Sequence, residues 1–124
     1  MGSDTLDICL GSGGPMIELL GSRGTLDILC VFTTGTKTVR FNKLNGLLSH
    51  ISTKTLASRL RELEENGILK RTAYNEIPPR VEYSITEKGQ KLTEALVPLV
   101  LWVEEWADKE TRALNLETVV RALK

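Results

Sequence analysis

Apolar positions recur along this chain with two different periods, and the points where the period changes divide it into elements. Gly11-Ser12-Gly13-Gly14 isolates a short flexible arm, residues 1–14. Pro15 then suits the first position of a helix, where its missing N–H would be unpaired anyway. Met16, Ile17, Leu19 and Leu20 give that helix an apolar side, which ends at Gly21. A second helix is expected after Ser22, burying Leu26, Leu29, Val31 and Phe32, with Thr33-Thr34-Gly35 closing it. Residues 36–40 are short and β-prone. A third helix, 41–48, carries Phe41, Leu44, Leu47 and Leu48 on one side.

Ser49-His50-Ile51 then makes a tight connection, and Ser52 is placed to cap a fourth helix through its hydroxyl. Leu56, Leu60 and Leu63 stand at i, i+4 and i+7, the spacing of one buried stripe. Asn66-Gly67 supplies the left-handed residue at which helices commonly stop. The period now shortens to two. Residues 68–74 and 80–85 read as strands, with Val81, Tyr83 and Ile85 alternating against Arg80, Glu82 and Ser84. Asn75-Glu76-Ile77-Pro78-Pro79 between them cannot continue a sheet ladder and forms a projecting tip. Thr86 caps a long last helical region, which Pro98 is expected to kink or split. Leu92, Leu96, Leu99, Val103 and Trp106 recur there at steps of four and three, an a/d-like seam, and Asn115 is a candidate cap for a final short helix.

The order of elements, with two helices joined by a tight turn and followed by a hairpin, suits a helix-turn-helix that lays its second helix in the major groove of DNA. Such a helix needs one apolar side and one small, polar, positive side. Around the helical wheel Lys54, Ser58 and Arg61 lie opposite Leu56, Leu60 and Leu63, with Thr53, Thr55 and Arg59 on the flanks and Ser52 at the start. Hydroxyls permit close approach, while Lys and Arg favour phosphates or guanine. Glu62, Glu64 and Glu65 are confined to the far half of the helix, and Arg59 and Arg61 have the spacing to pair with Glu62 and Glu65 instead. Lys43 on the preceding helix and Lys70, Arg71 and Arg80 on the hairpin extend the basic set, with Arg80 suited to a flanking backbone or minor groove.

Composition changes the picture only in part. The chain has 124 residues with 16 Lys+Arg against 16 Asp+Glu, so no overall charge attracts nucleic acid. That neutrality hides a sorted distribution: residues 36–82 hold nine Lys or Arg against five Glu. No apolar run reaches the roughly 20 residues a membrane helix needs, and no secretory signal opens the chain, so a cytoplasmic domain is expected. Two cysteines, a single His and no CxxC argue against a disulfide framework, a metal site or a bound cofactor. No nucleophile–base set or phosphate loop points to an enzyme. Cys30 reads as a small core residue and His50 as a turn residue. Cys9, in the polar arm, is either an inert thiol or a redox sensor, with no basic neighbour in sequence to lower its pKa.

From Leu19 to Trp106 the chain resembles the HxlR-type winged helix-turn-helix regulators, relatives of the MarR group. The matching stretches are Leu26-Asp27-Ile28-Leu29, Arg40-Phe41-Asn42-Lys43-Leu44, residues 51–56, residues 59–67, and Trp102. The specific part is Pro78-Pro79-Arg80-Val81-Glu82-Tyr83 with its sequel Thr86-Glu87-Lys88-Gly89. Two features depart from the family pattern. Gly21-Ser22-Arg23-Gly24 stands where Gly-Gly-(Lys/Arg)-Trp is common, and the frequent N-terminal Cys-Pro falls on Gly11, two residues after Cys9. The resemblance implies a homodimeric DNA-binding transcription factor without a cofactor, dimerised through its terminal helices.

The expectation is therefore an α+β, mainly helical winged helix-turn-helix with a two-stranded wing and long C-terminal dimerisation helices. Residues 15–85 form the DNA-binding core and 86–124 the dimerisation region. The interface is expected at Leu92, Leu96, Leu99, Trp102, Val103 and Trp106, although the two Trp could instead be buried within one protomer. The partner would be double-stranded DNA with a near-palindromic operator, and the action that of a repressor. Two alternatives stay open: a winged helix used as a protein-interaction module, and a regulator answering to a small-molecule effector or an oxidant.

Overall fold

The computed structural model describes residues 14–107. In chain order its elements are α1 (Gly14–Leu20), α2 (Thr25–Phe32), β1 (Thr38–Arg40), α3 (Phe41–Leu47), α4 (Thr53–Glu65), β2 (Leu69–Tyr74), β3 (Arg80–Ile85) and α5 (Glu87–Trp106). Each boundary has a local cause. Gly24 takes a left-handed backbone, φ 91°, immediately before α2, so the helix starts at Thr25 and not just after Ser22. Ser52 Oγ accepts the Thr55 N–H at 3.1 Å and starts α4. Gly67, φ 74°, ends that helix region, and the Ile68 N–H returns to the Leu63 carbonyl at 2.9 Å.

The core lies where the apolar sides of α2, α3 and α4 meet one face of the sheet. Ile28, Leu29 and Val31 of α2, Leu44 of α3, and Leu56, Leu60 and Leu63 of α4 are all at 0% exposure. Burying a leucine that fully contributes about 1.5–3 kcal/mol relative to leaving it in water. Ile68, Leu69, Val39 and Tyr83 close the core from the sheet side.

The sheet has three antiparallel strands in the order β1-β3-β2. Residues 36–40, read from sequence only as β-prone, thus add a third strand to the hairpin: Val39 faces Tyr83 on one side of β3 while Arg71 faces Tyr83 on the other. Both strand neighbours share that face with Tyr83 because directly opposed residues point the same way. Thr86 locks the junction behind the hairpin. Its hydroxyl reaches the carbonyls of Gly67 at 2.6 Å and Ile68 at 3.0 Å, and it accepts the Gly89 N–H at 3.0 Å.

α5 runs unbroken from Glu87 to Trp106 with Pro98 inside it, so the helix is not split. Pro98 and Glu94 both lie exposed, where the carbonyl deprived of its donor can turn to water. Leu92 and Leu96 pack on the protomer's own core. No helix among the described residues is long and apolar enough to cross a membrane. Gly14 already belongs to α1; the rest of the arm, Cys9 and the helix expected from Asn115 lie outside the described residues.

Candidate nucleic-acid interface

α3, the turn 48–52 and α4 form the helix-turn-helix, and its exposed edge is built by the leucine stripe beneath it. With Leu56, Leu60 and Leu63 fixed in the core, Lys54 and Arg61 are exposed and Ser58 is half-buried between them. The hydroxyls at the start of α4 are already engaged. Ser52 Oγ, besides capping, donates to Thr55 Oγ1 at 2.9 Å, and Thr53 Oγ1 donates to Asn45 Oδ1 on α3 at 3.1 Å. The second bond braces the two helices of the motif against each other. The long cationic side chains left exposed on this edge, Lys54 in the first turn and Arg61 two turns on, are carried on a rigid base.

Arg59, on a flank of the helix, takes the alternative that its spacing allowed and pairs with Glu62. Its Nε donates to the Arg23 carbonyl at 2.9 Å and its guanidinium pairs with Glu62 at 2.7 Å. The side chain is turned toward the protein, tying α4 to the turn ahead of α2. The same turn is held from the other end: the Arg23 guanidinium donates to the His50 carbonyl at 3.2 Å, and His50 Nε2 lies 3.3 Å from Asp27. His50 is thus a turn residue. Gly24 allows the close approach, since a Cβ there would meet Ile51 Cδ1 at 3.3 Å. Ile51 and the Arg59 stem crowd the position where the resembling family commonly has Trp.

On the wing, Arg80 is only partly exposed. Its guanidinium lies 3.9 Å over the Tyr74 ring and pairs with Glu76 at 3.1 Å, while its Nε is buried with no hydrogen-bond partner. The Glu82 carboxylate accepts from the Tyr74 hydroxyl and raises its pKa above the usual phenol range. Ile77 at the tip is wholly exposed. Lys43 lies exposed on α3. Sequence reading missed Asn45 and Arg23 as bracing residues, because their partners lie eight and thirty-six positions away along the chain.

The last three turns of α5 form the other conspicuous surface. Leu99, Leu101, Trp102, Val103 and Trp106 are exposed there, Trp102 at 59% and Trp106 at 71%. Of the six positions expected at an interface, Leu92 and Leu96 are used inside the protomer, and the other four are uncovered within it. The reading that buries both Trp against the N-terminal helices is not what the fold does. No group of three or more metal-ligating side chains occurs among the described residues.

Residues 19–111 match the model of the HxlR-like helix-turn-helix family. The chain belongs to that family. Its members are helix-turn-helix transcriptional regulators and not enzymes, so this chain is a transcriptional regulator with a DNA-binding fold. The HTH-type transcriptional regulator YtcD of Bacillus subtilis, itself uncharacterised, is 40% identical over 86 residues, covering 69% of this chain and 67% of the relative. The reduced form of the transcriptional regulator YodB from B. subtilis is similar in structure, with TM-score 0.58, 32% identity and coverage of 76% of this chain and 90% of that one. The redox regulator HypR in its oxidised form has TM-score 0.65 at 32% identity, covering 75% and 94%. The HxlR-like match includes the helix-turn-helix, the wing and α5 together.

Proposed function

We propose that this HxlR-like chain acts in the cytoplasm as a homodimeric, sequence-specific repressor. Each α4 enters a major groove through Lys54, Ser58 and Arg61, with Thr53 and Thr55 at its leading end. Lys43 and Arg80 contact the flanking backbone, and Arg59 positions the helix. The core, residues 15–85, reads DNA, and residues 86–124 hold two copies together through Leu99, Trp102, Val103 and Trp106. Repression follows from occupying an operator that overlaps a promoter.

The observation that carries the reading is the edge of α4: exposed cations set on a helix whose opposite face is fully buried. The apolar end of α5 supports the dimer, since exposed aromatic and aliphatic residues in a continuous stripe mark surfaces that are covered in the working assembly. Two-fold symmetry would put the half-sites about 34–36 Å apart. Selecting bound sequences from a random duplex pool at near-physiological salt tests this. A near-palindromic consensus is expected; absence of any enriched sequence contradicts it, and binding that is indifferent to salt favours a protein-interaction role.

The likeness to the redox regulator HypR supports a second reading, in which an oxidant releases the operator through Cys9. Operator binding that survives complete modification of Cys9 would exclude it.

A further inference from the structure

Ile77, at the outermost point of the wing, is 102% exposed, so no described part of the protein covers it. We propose that Ile77 is an apolar wedge that enters the minor groove of DNA, beside the major groove taken by α4, and there selects A·T over G·C base pairs. This role rests on the DNA-binding reading and adds to it a residue outside α4 that determines specificity.

The tip is held stiffly. Pro78 and Pro79 fix their own φ angles, and the Glu76 N–H returns to the Tyr74 carbonyl at 2.9 Å. Across the loop the Glu76 carboxylate pairs with Arg80 at 3.1 Å, and the Arg80 guanidinium lies 3.9 Å over the Tyr74 ring. Both roots of the loop are thus tied together, and Ile77 is presented with little backbone freedom left to lose on binding. The ion pair also offsets the one negative charge of residues 75–79, which would otherwise oppose a phosphate. The fold sets this tip near the reading helix. Phe41 and Asn42, at the start of α3, line one cleft with Glu76, Pro78 and Pro79. Asn45, about 6 Å further along α3, accepts the Thr53 hydroxyl from the first turn of α4 at 3.1 Å. The tip and the leading end of α4 therefore lie at the same end of the molecule.

The size of the apolar tip favours a groove over a protein partner. A stable protein interface engages roughly 20–30 residues a side, whereas the tip offers Ile77 and two prolines. A minor groove about 6 Å wide admits one aliphatic side chain, and Ile is among the residues that serve as wedges there. Both kinds of base pair show acceptors on the floor of that groove, but G·C adds the guanine N2 amine, which stands up from it. Ile77 gives that donor no acceptor and shields it from water, so contact with the floor requires A·T.

The test selects duplexes from a random pool with the full chain and with Ile77→Ser, whose thermal midpoint should equal the parent's because the side chain touches nothing. The parent should enrich A·T about five base pairs, half a helical turn, outside the pairs read by α4. Ile77→Ser should lose that enrichment and keep the pairs read by α4. In the duplex the parent selects, diaminopurine·T at the enriched pair adds the N2 amine and keeps the major groove of A·T. It should weaken parental binding at least fivefold and Ile77→Ser binding less than twofold, with Ile77→Leu behaving as the parent. Inosine·C, which lacks that amine, should bind the parent within twofold of A·T. A parental consensus without A·T at the flank, or a diaminopurine penalty that persists in Ile77→Ser, overturns the wedge and leaves the reading by α4 standing. If no duplex is enriched at all, the DNA-binding reading fails and the wedge fails with it.

Discussion

Arg59 Nε donates to the main-chain carbonyl of Arg23 at 2.9 Å, and this bond joins the candidate reading helix to the turn that precedes α2. Because the same guanidinium also pairs with Glu62, the side chain is committed to holding α4 in place. Arg59→Ala should lower unfolding free energy by about 1.5–3 kcal/mol, the range for hydrogen bonds made by a charged donor. Urea denaturation measures it. A variant as stable as the parent would show that the bond contributes nothing to holding α4.

Gly89 sits on the first turn of α5, where an added Cβ would run into the Ile68 carbonyl oxygen and lie 2.8 Å from Ile85 Cδ1. The closest of these atoms is backbone, fixed by the Thr86 bonds around it, and cannot yield cheaply. Gly89→Ala should therefore destabilise the fold by about 1–3 kcal/mol or more, as overpacking does. A thermal midpoint equal to that of the parent would contradict the packing described at this junction.

The uncovered stripe on α5 predicts association. Leu99→Glu and Trp106→Ala should each shift sedimentation velocity from dimer toward monomer at micromolar concentration, with far-ultraviolet dichroism preserved. Dimers that persist in both variants would place the interface elsewhere.

Burial pushes the Cys30 thiol up, with the Asp27 charge adding to the effect. A raised pKa leaves less thiolate at neutral pH, and thiolate is the reactive species. Alkylation of Cys30 at pH 7 should be slower in the native protein than in urea, with mass spectrometry locating the adduct. Equal rates would mean that the site is open.

Much of the fold is legible in the residues because its causes are local. The Leu56-Leu60-Leu63 stripe, the Ser52 and Thr86 caps and the Gly67 stop each depend on neighbours within one or two helical turns. The β1 strand is short and gives no sign of its partner, since pairing with β3 joins residues 46 positions apart at Thr38 and Ser84. For Pro98 a local rule predicts a kink or a split; α5 is not split, since an exposed face lets solvent take up the freed carbonyl. At the candidate site, periodicity identifies Lys54 and Arg61 as outward, yet helical angle alone cannot distinguish Arg59, whose partner is a backbone carbonyl in another turn. Arg80 is similar. Its stacking on Tyr74 follows from hairpin register, in which the two residues stand directly opposite.

In the proposed complex the cationic edge of α4 meets the duplex. Its most direct test is the affinity of Lys54→Gln and Arg61→Gln for a selected operator, measured across a salt series. Each variant should bind more weakly, and each lost phosphate contact should reduce the slope of log K against log salt by about one. Parental affinity and an unchanged slope in both variants would contradict the account.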